Sequence, residues 1–211
     1  MELAVFGATG RTGQALVARA LAHGWQVRAF VRTQAGARLP LPEGLRVVHG
    51  DPQRSSDIAA TVRGTDGVCC VFGPRPTLAE AFCAPFTLRV VKAMNAEGRR
   101  RLVCLTGAMI GAMPENTSVG MRIAAALFRR RLPAIAADRA EQESVVMASG
   151  LDWTLVKPVR LTDGSLTRNV HADPLLPVRM LHSISRQDLA EFVFRAAAHD
   201  RFVRARVYVR G

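Results

Sequence analysis

The N-terminal stretch through Gly13 constrains the fold of this chain more than any other. Glu2 to Phe6 is a short apolar run of strand character that leads directly into Gly7-Ala8-Thr9-Gly10-Arg11-Thr12-Gly13. Beyond it, Leu16, Val17, Ala20 and Leu21 recur at helical spacing, predicting a helix over 11–23 that Gly24 is placed to end. A strand, a glycine turn and a helix in that order make a place for an anion. The first glycine permits a tight turn, the second lets backbone amides approach a pyrophosphate, and the third lets the helix pack against the strand. The helix N-terminus adds unpaired N–H groups and a favourable dipole. The spacing therefore predicts a dinucleotide site in which Gly7, Thr9, Gly10, Arg11, Thr12 and Gly13 surround the phosphates.

Downstream, strand and helix patterns alternate. Strands are expected at 25–31, 45–49, 67–72, 101–106 and 152–157. Helices are expected after Ser55 or Ser56 as a cap, over about 84–96, and as two pieces within 118–149 broken at Pro133. Such alternation is the signature of a parallel sheet with right-handed helical crossovers on both faces, a doubly wound, Rossmann-like α/β fold. After Lys157 the pattern loosens: 161–181 reads as irregular, Ser185 caps a helix to about Ala198, and 202–209 is a last strand. One domain over 1–211 is expected, with a small irregular C-terminal part covering substrate and substrate-side additions at about 107–135 and 160–182. With 49% apolar and 22% charged residues among 211, a chain of this size buries about 70% of its unfolded surface. No apolar run approaches the roughly 20 residues of a spanning helix, and no basic leader precedes the first strand, so a cytoplasmic protein is expected.

The dinucleotide is chosen at the end of the second strand, where a carboxylate would bind a ribose 2′-hydroxyl and repel a 2′-phosphate. Here that strand ends in Arg32, and the next carboxylate is Glu43, so NADP(H) is expected, with Arg11 placed to join Arg32. The formal charge of +12 suits a phosphate-bearing ligand. The basic residues are scattered outside 99–101 and 129–131, so no specific nucleic-acid partner is expected. Cys69, Cys70, Cys83 and Cys104 form no metal-ligand spacing and read as reduced core residues; no metal is expected. Neither HExxH nor GxSxG occurs.

With these motifs assembled, the chain resembles the atypical short-chain dehydrogenase/reductases, NAD(P)-binding proteins that include biliverdin-IX beta reductase (flavin reductase). The markers are Gly7 to Gly13 with Arg32, His49-Gly50-Asp51, Val71-Phe72-Gly73, Ser149 to Pro158, and Ile184 to Ala190. The resemblance implies that Asp51 bonds the adenine edge and that Phe72, Gly73 and Arg75 line the riboses. It also implies that Thr106, Lys157 and Pro158 sit beside the nicotinamide.

The Tyr and Lys pair of the best-known branches is missing: the only tyrosine is Tyr208, with no lysine after it. Gly107 and Arg160 stand where biliverdin reductase relatives carry a Ser and a His. The expected function is hydride transfer from NADPH to a planar acceptor such as a flavin, quinone or small carbonyl compound, a reaction the cofactor itself can carry. Thr106 and Arg160 are the candidate catalytic groups, balancing charge on the reduced product. The alternative is a non-catalytic NADP(H)-binding regulator acting through a protein partner. The acceptor pocket is expected between 107–114, 121–132 and 161–181, with Met109, Met113 and Met121 as liners. The basic, apolar 121–132 stretch reads as a solvated face or lid, so no membrane partner is expected, and the protein is expected to be a monomer or weak dimer.

Overall fold

The computed structural model describes residues 1–32, 42–73, 82–199 and 201–211. Its elements run β1 (Glu2–Phe6), α1 (Arg11–Ala22), β2 (Gln26–Arg32), β3 (Leu45–Gly50), α2 (Ser55–Val62), β4 (Gly67–Cys70), α3 (Cys83–Ala96) and β5 (Arg101–Leu105). Then follow α4 (Val119–Arg131), α5 (Pro133–Met147), β6 (Asp152–Pro158), β7 (Arg160–Thr162), β8 (His171–Asp173), β9 (Ser183–Ser185), α6 (Arg186–Ala198) and β10 (Ala205–Arg210). Eight strands form one sheet in the order β3-β2-β1-β4-β5-β6-β10-β8. All pairings are parallel except that of the edge strand β8 with β10. The order reverses between β1 and β4, and open α/β sheets bind ligands at the carboxyl ends beside such a switch point.

The alternation of a strand explains the two cores. In β1, Leu3 and Val5 face the side packed by α1 and α6, with Leu16, Leu189 and Val193. Ala4 and Phe6 face the other side, with Ile58 of α2, Phe86 and Val90 of α3 and Val146 of α5. Because both faces are covered, β1 is apolar throughout. All four cysteines are buried and free, as expected.

Two buried polar groups tie α6 to this frame. Arg101 donates to the Ala196 carbonyl, one of the last of α6, and to Thr154 Oγ1 at 2.8 Å. At the other end, Ser185 caps α6, accepting from Asp188 N at 2.9 Å. Asp188 in turn accepts from Thr167 N and Arg168 N, each at 2.8 Å, and from the Thr167 and Ser185 hydroxyls.

Two expectations need correction. Neither Ser55 nor Ser56 caps α2; its N-cap is Arg54, without a side-chain bond. The turn before it is held by carboxylates instead, with Asp51 Oδ1 accepting from Gln53 N and Asp57 Oδ2 from Asp51 N. The 161–181 region is not irregular throughout, since β7 pairs with β9 and β8 with β10. Strands of three residues with distant partners leave too short an alternation to read. Most of the connection between β2 and β3 lies outside the described residues.

Burial raises the Asp188 carboxyl pKa, but hydrogen bonds from Ser185, Arg168 and Thr167 outweigh this and hold it below its ordinary value. A carboxyl depressed in the folded state stabilises above its unfolded pKa, and the stabilisation disappears as pH falls through the folded one. Asp188→Asn should therefore cost about 2 kcal/mol at neutral pH and flatten the loss of stability in acid. Urea unfolding as a function of pH measures both.

Candidate active site

At the end of β1 the turn is built by close approach. Gly7 lies at φ +98°, and a Cβ there would stand 2.7 Å from Phe72 N; one on Gly13 would stand 2.1 Å from Gly7 O. Gly10 is the N-cap of α1 and offers no side-chain cap, and the first helical turn carries no carboxylate. That leaves the leading amides of α1 free for an anion, so these residues fit a dinucleotide pyrophosphate. Thr12 is buried and Thr9 half-buried beside the turn. Arg11 reaches Asp163 Oδ2 at 2.7 Å, and Asp163 also holds Arg186. Arg11 and Asp163 are mostly exposed, so a phosphate can compete for the arginine. Arg32 ends β2, half-buried, paired in register with Gly50.

The remaining sequence candidates are spread along the strand ends. Asp51 is exposed, with one carboxylate oxygen committed to its own turn. Phe72 turns its ring toward Phe86 and Phe82, at centroid distances of 4.9 and 5.8 Å, while Gly73 is exposed. Arg75 lies outside the described residues. Thr106, Pro158 and Arg160 line a common cavity. Lys157 does not: its side chain is fully buried behind that wall. It donates to Glu143 Oε1 and to the Ile110 carbonyl, each at 2.5 Å.

Sequence reasoning missed the group that assembles this wall, the buried face of α5. Asp138 accepts from the amides of Phe82, Cys83 and Ala84 and so caps α3, which has no cap of its own. Arg139 donates to the carbonyls of Leu105 and Thr106 at 2.8 Å and of Phe72 at 3.3 Å, joining the ends of β4 and β5. Gln142 bridges Arg139, Thr87 and Cys104. Glu143 accepts from Thr106 Oγ1 at 2.8 Å as well as from Lys157. Gly111, at φ +61°, lets the chain pass so close that a Cβ would stand 2.7 Å from Glu143 Oε2.

Burial lowers the pKa of Lys157, and Glu143 opposes that effect. Tyr208 lies beneath: its ring is 5.6 Å from Lys157 Nζ and its hydroxyl donates to Ala112 O. Its pKa is pushed up to about 12 by burial and then by Glu143. The signal in the sequence was Asp138, Arg139, Gln142 and Glu143 at i, i+1, i+4 and i+5, one polar stripe on one helix face.

The cavity in front of this wall is about 590 Å³. Its floor is Thr106 to Ile110 and Pro158 to Leu161; its far side is Met121, Ala124 and Phe128 of α4 with Leu132, Ile135 and Met180. Met109 and Met121 are liners as expected, but Met113 lies in a separate depression beside Tyr208. Arg139 and Arg160 supply its charge, the latter at an exposed position. Among the described residues no cluster of His, Cys, Asp and Glu could hold a metal ion.

A family described as NAD(P)H-binding matches residues 7–200. The chain belongs to that NAD(P)H-binding family. A curated relative, the chloroplastic protein At2g34460 of Arabidopsis thaliana, is 28% identical over 203 residues, covering 91% of this chain and 70% of its own length. Two solved structures share the fold. A short-chain dehydrogenase/reductase from Veillonella parvula in complex with NADP superposes with a TM-score of 0.79 at 19% identity, covering 99% of this chain and 93% of that one. ChuY, an anaerobilin reductase from Escherichia coli O157:H7, gives 0.78 at 19% identity, covering 99% and 96%. The family match starts at Gly7, the first glycine of the turn. Among the described residues no helix is long and apolar enough to cross a membrane.

Removing one partner of the Glu143 and Lys157 pair strands the other as an uncompensated buried charge. Lys157→Met should cost about 3–5 kcal/mol. Adding Glu143→Gln, which removes the stranded charge and still accepts from Thr106, should recover at least roughly 1 kcal/mol of that loss. Chemical denaturation of the two variants tests the coupling.

Proposed function

We propose that this protein is an NADPH-dependent oxidoreductase that reduces a planar, largely apolar acceptor of the flavin, quinone or small carbonyl type. The observation that carries the reading is the open apolar cavity at the carboxyl ends of β5 and β6, in the same row of strand ends as the glycine turn. A purely regulatory NADP(H)-binding protein has no need of that space, which is large enough for a ring system. The NADP complex of the Veillonella protein and the anaerobilin reductase ChuY support the same reading.

On this reading the glycine turn holds the pyrophosphate, and Arg32 with Arg11 faces the 2′-phosphate. Asp51 meets the adenine, Phe72 and Gly73 border the riboses, and Thr106 and Pro158 flank the nicotinamide. The bound nicotinamide supplies the hydride. The protein contributes placement: stacking the acceptor against the cofactor makes the transfer effectively intramolecular. Residues 107–135 and 160–182 form the acceptor side.

Thr106 has a defined polarity. Its proton is directed to Glu143, so its free lone pair is left for the cavity and accepts from an N–H or O–H of the bound group. Glu143 and Lys157 are positioning residues that fix this direction. Arg160 at the rim neutralises negative charge developing on the reduced acceptor, whose proton then comes from water.

NADPH oxidation by the purified protein, followed against FMN, riboflavin, simple quinones and aldehydes, should show saturable turnover with at least one acceptor class. Arg32→Glu should raise the KM for NADPH at least about tenfold through loss of a charge-assisted phosphate contact and leave that for NADH nearly unchanged. Tight NADPH binding with no acceptor reduced would transfer the case to the regulator. Unchanged turnover in Thr106→Val and Arg160→Ala would remove those two assignments.

A further inference from the structure

α4 carries two apolar faces, and only one is used. Met121 and Ala125 are buried, and Ala124 and Phe128 line the cavity. On the opposite side, Val119, Ile123 and Leu127 recur at i, i+4 and i+8 and span an arc of about 80°. They are 72%, 56% and 49% exposed. The turn beside the start of α4 extends this strip: Ser118 N donates to Val178 O, and a Cβ on Gly120 would lie 3.7 Å from Met180 Sδ. Met180, which also borders the cavity, thus stands at the edge of this strip, and Leu181 next to it in the chain is 90% exposed. A solvated helix face, the reading favoured by the sequence, does not account for five large apolar side chains held in water.

The charge around the strip has one sign. Arg129, Arg130 and Arg131 are exposed at the end of α4, with Arg179 exposed beside Met180. Among the described residues none of these four has a carboxylate within ion-pair distance. From Gly107 to Ala137 the chain holds one carboxylate, Glu115. Arg122, on the flank, is engaged by the carbonyls of Pro114, Glu115 and Thr117 and braces the start of the helix.

We propose that the outer face of α4, with the 179–181 turn, docks on an anionic lipid bilayer. Such a surface offers both chemistries together: phosphates for the arginines, and the headgroup and acyl boundary for a strip of Val, Ile and Leu on a helix lying in the plane. Arginine suits the role because its apolar stem lies along the strip while its guanidinium reaches the phosphates. A second copy of the chain fits less well. Pairing through this face would bring together two molecules that each carry +12. The proposal stands apart from the reductase reading, because lipid binding is measured without turnover.

The test is co-sedimentation of the full chain with vesicles of phosphatidylcholine alone or mixed with phosphatidylglycerol, at low and physiological salt. The wild type should partition at least about tenfold more strongly onto the mixed vesicles. Ile123→Asn with Leu127→Asn leaves the net charge unchanged and should weaken that binding at least about tenfold. Replacing Arg129, Arg130 and Arg131 by Gln should weaken it on the order of 100-fold. Circular dichroism and NADPH binding show that the variants are folded. Absence of binding to mixed vesicles, or equal binding by the Ile123 and Leu127 variant, would overturn the proposal, the latter reducing it to bulk charge attraction. So would a dimer in analytical ultracentrifugation that the same variant dissociates without any lipid binding by the wild type.

Discussion

Asp138, Arg139, Gln142 and Glu143 give α5 a buried face that is polar where a helix against a sheet ordinarily buries an apolar one, and the ends of α3, β4, β5 and β6 all lean on it. Parallel strands end in carbonyls and loops with no regular partner, and those ends are where a doubly wound sheet puts its ligands. Arg139 answers three such carbonyls with one planar guanidinium. Without it the floor of the cavity would consist of unpaired backbone next to an apolar space, an arrangement that folding does not tolerate.

The same helix sets the electrostatics. A lysine and a glutamate enclosed in the interior attract strongly but lose their hydration, so the pair contributes less to stability than to definition. Here the definition has an address: one oxygen of Glu143 is shared by Lys157 and Thr106, and Lys157 also holds the 107–112 loop through Ile110. The hydroxyl that faces the cavity is thereby fixed by a group two layers away.

Much of the frame is legible in the sequence because its signals are local. The 7–13 turn, the apolar strands, Pro133 at the first position of α5 and Ser185 as a cap each follow from a few adjacent residues. The short strands β7, β8 and β9 are not legible, since each is three residues long and is ordered by a distant partner. The wall of the site is not legible for a different reason. Apolar periodicity is the cue for a buried helix face, and on α5 that face is written in Asp, Arg, Gln and Glu, residues that read as solvent-exposed. The position of Lys157 near the end of β6 is legible but its direction is not, because direction depends on Glu143, fourteen residues back in the chain and on another element. Tyr208 has no lysine after it in the sequence, yet parallel pairing of β10 with β6 brings it into register with Lys157.

A single residue, Leu132, separates α4 from the proline that begins α5. α4 is thus suspended from its neighbouring helix, and it forms a wall of the cavity while taking no part in the glycine turn. The two halves of the site rest on separate foundations. Substitutions at Met121, Ala124 or Phe128 can recut the cavity without disturbing the glycine turn. On the proposed reading, a scaffold divided in this way can exchange one acceptor for another over evolutionary time while keeping a constant source of reducing power.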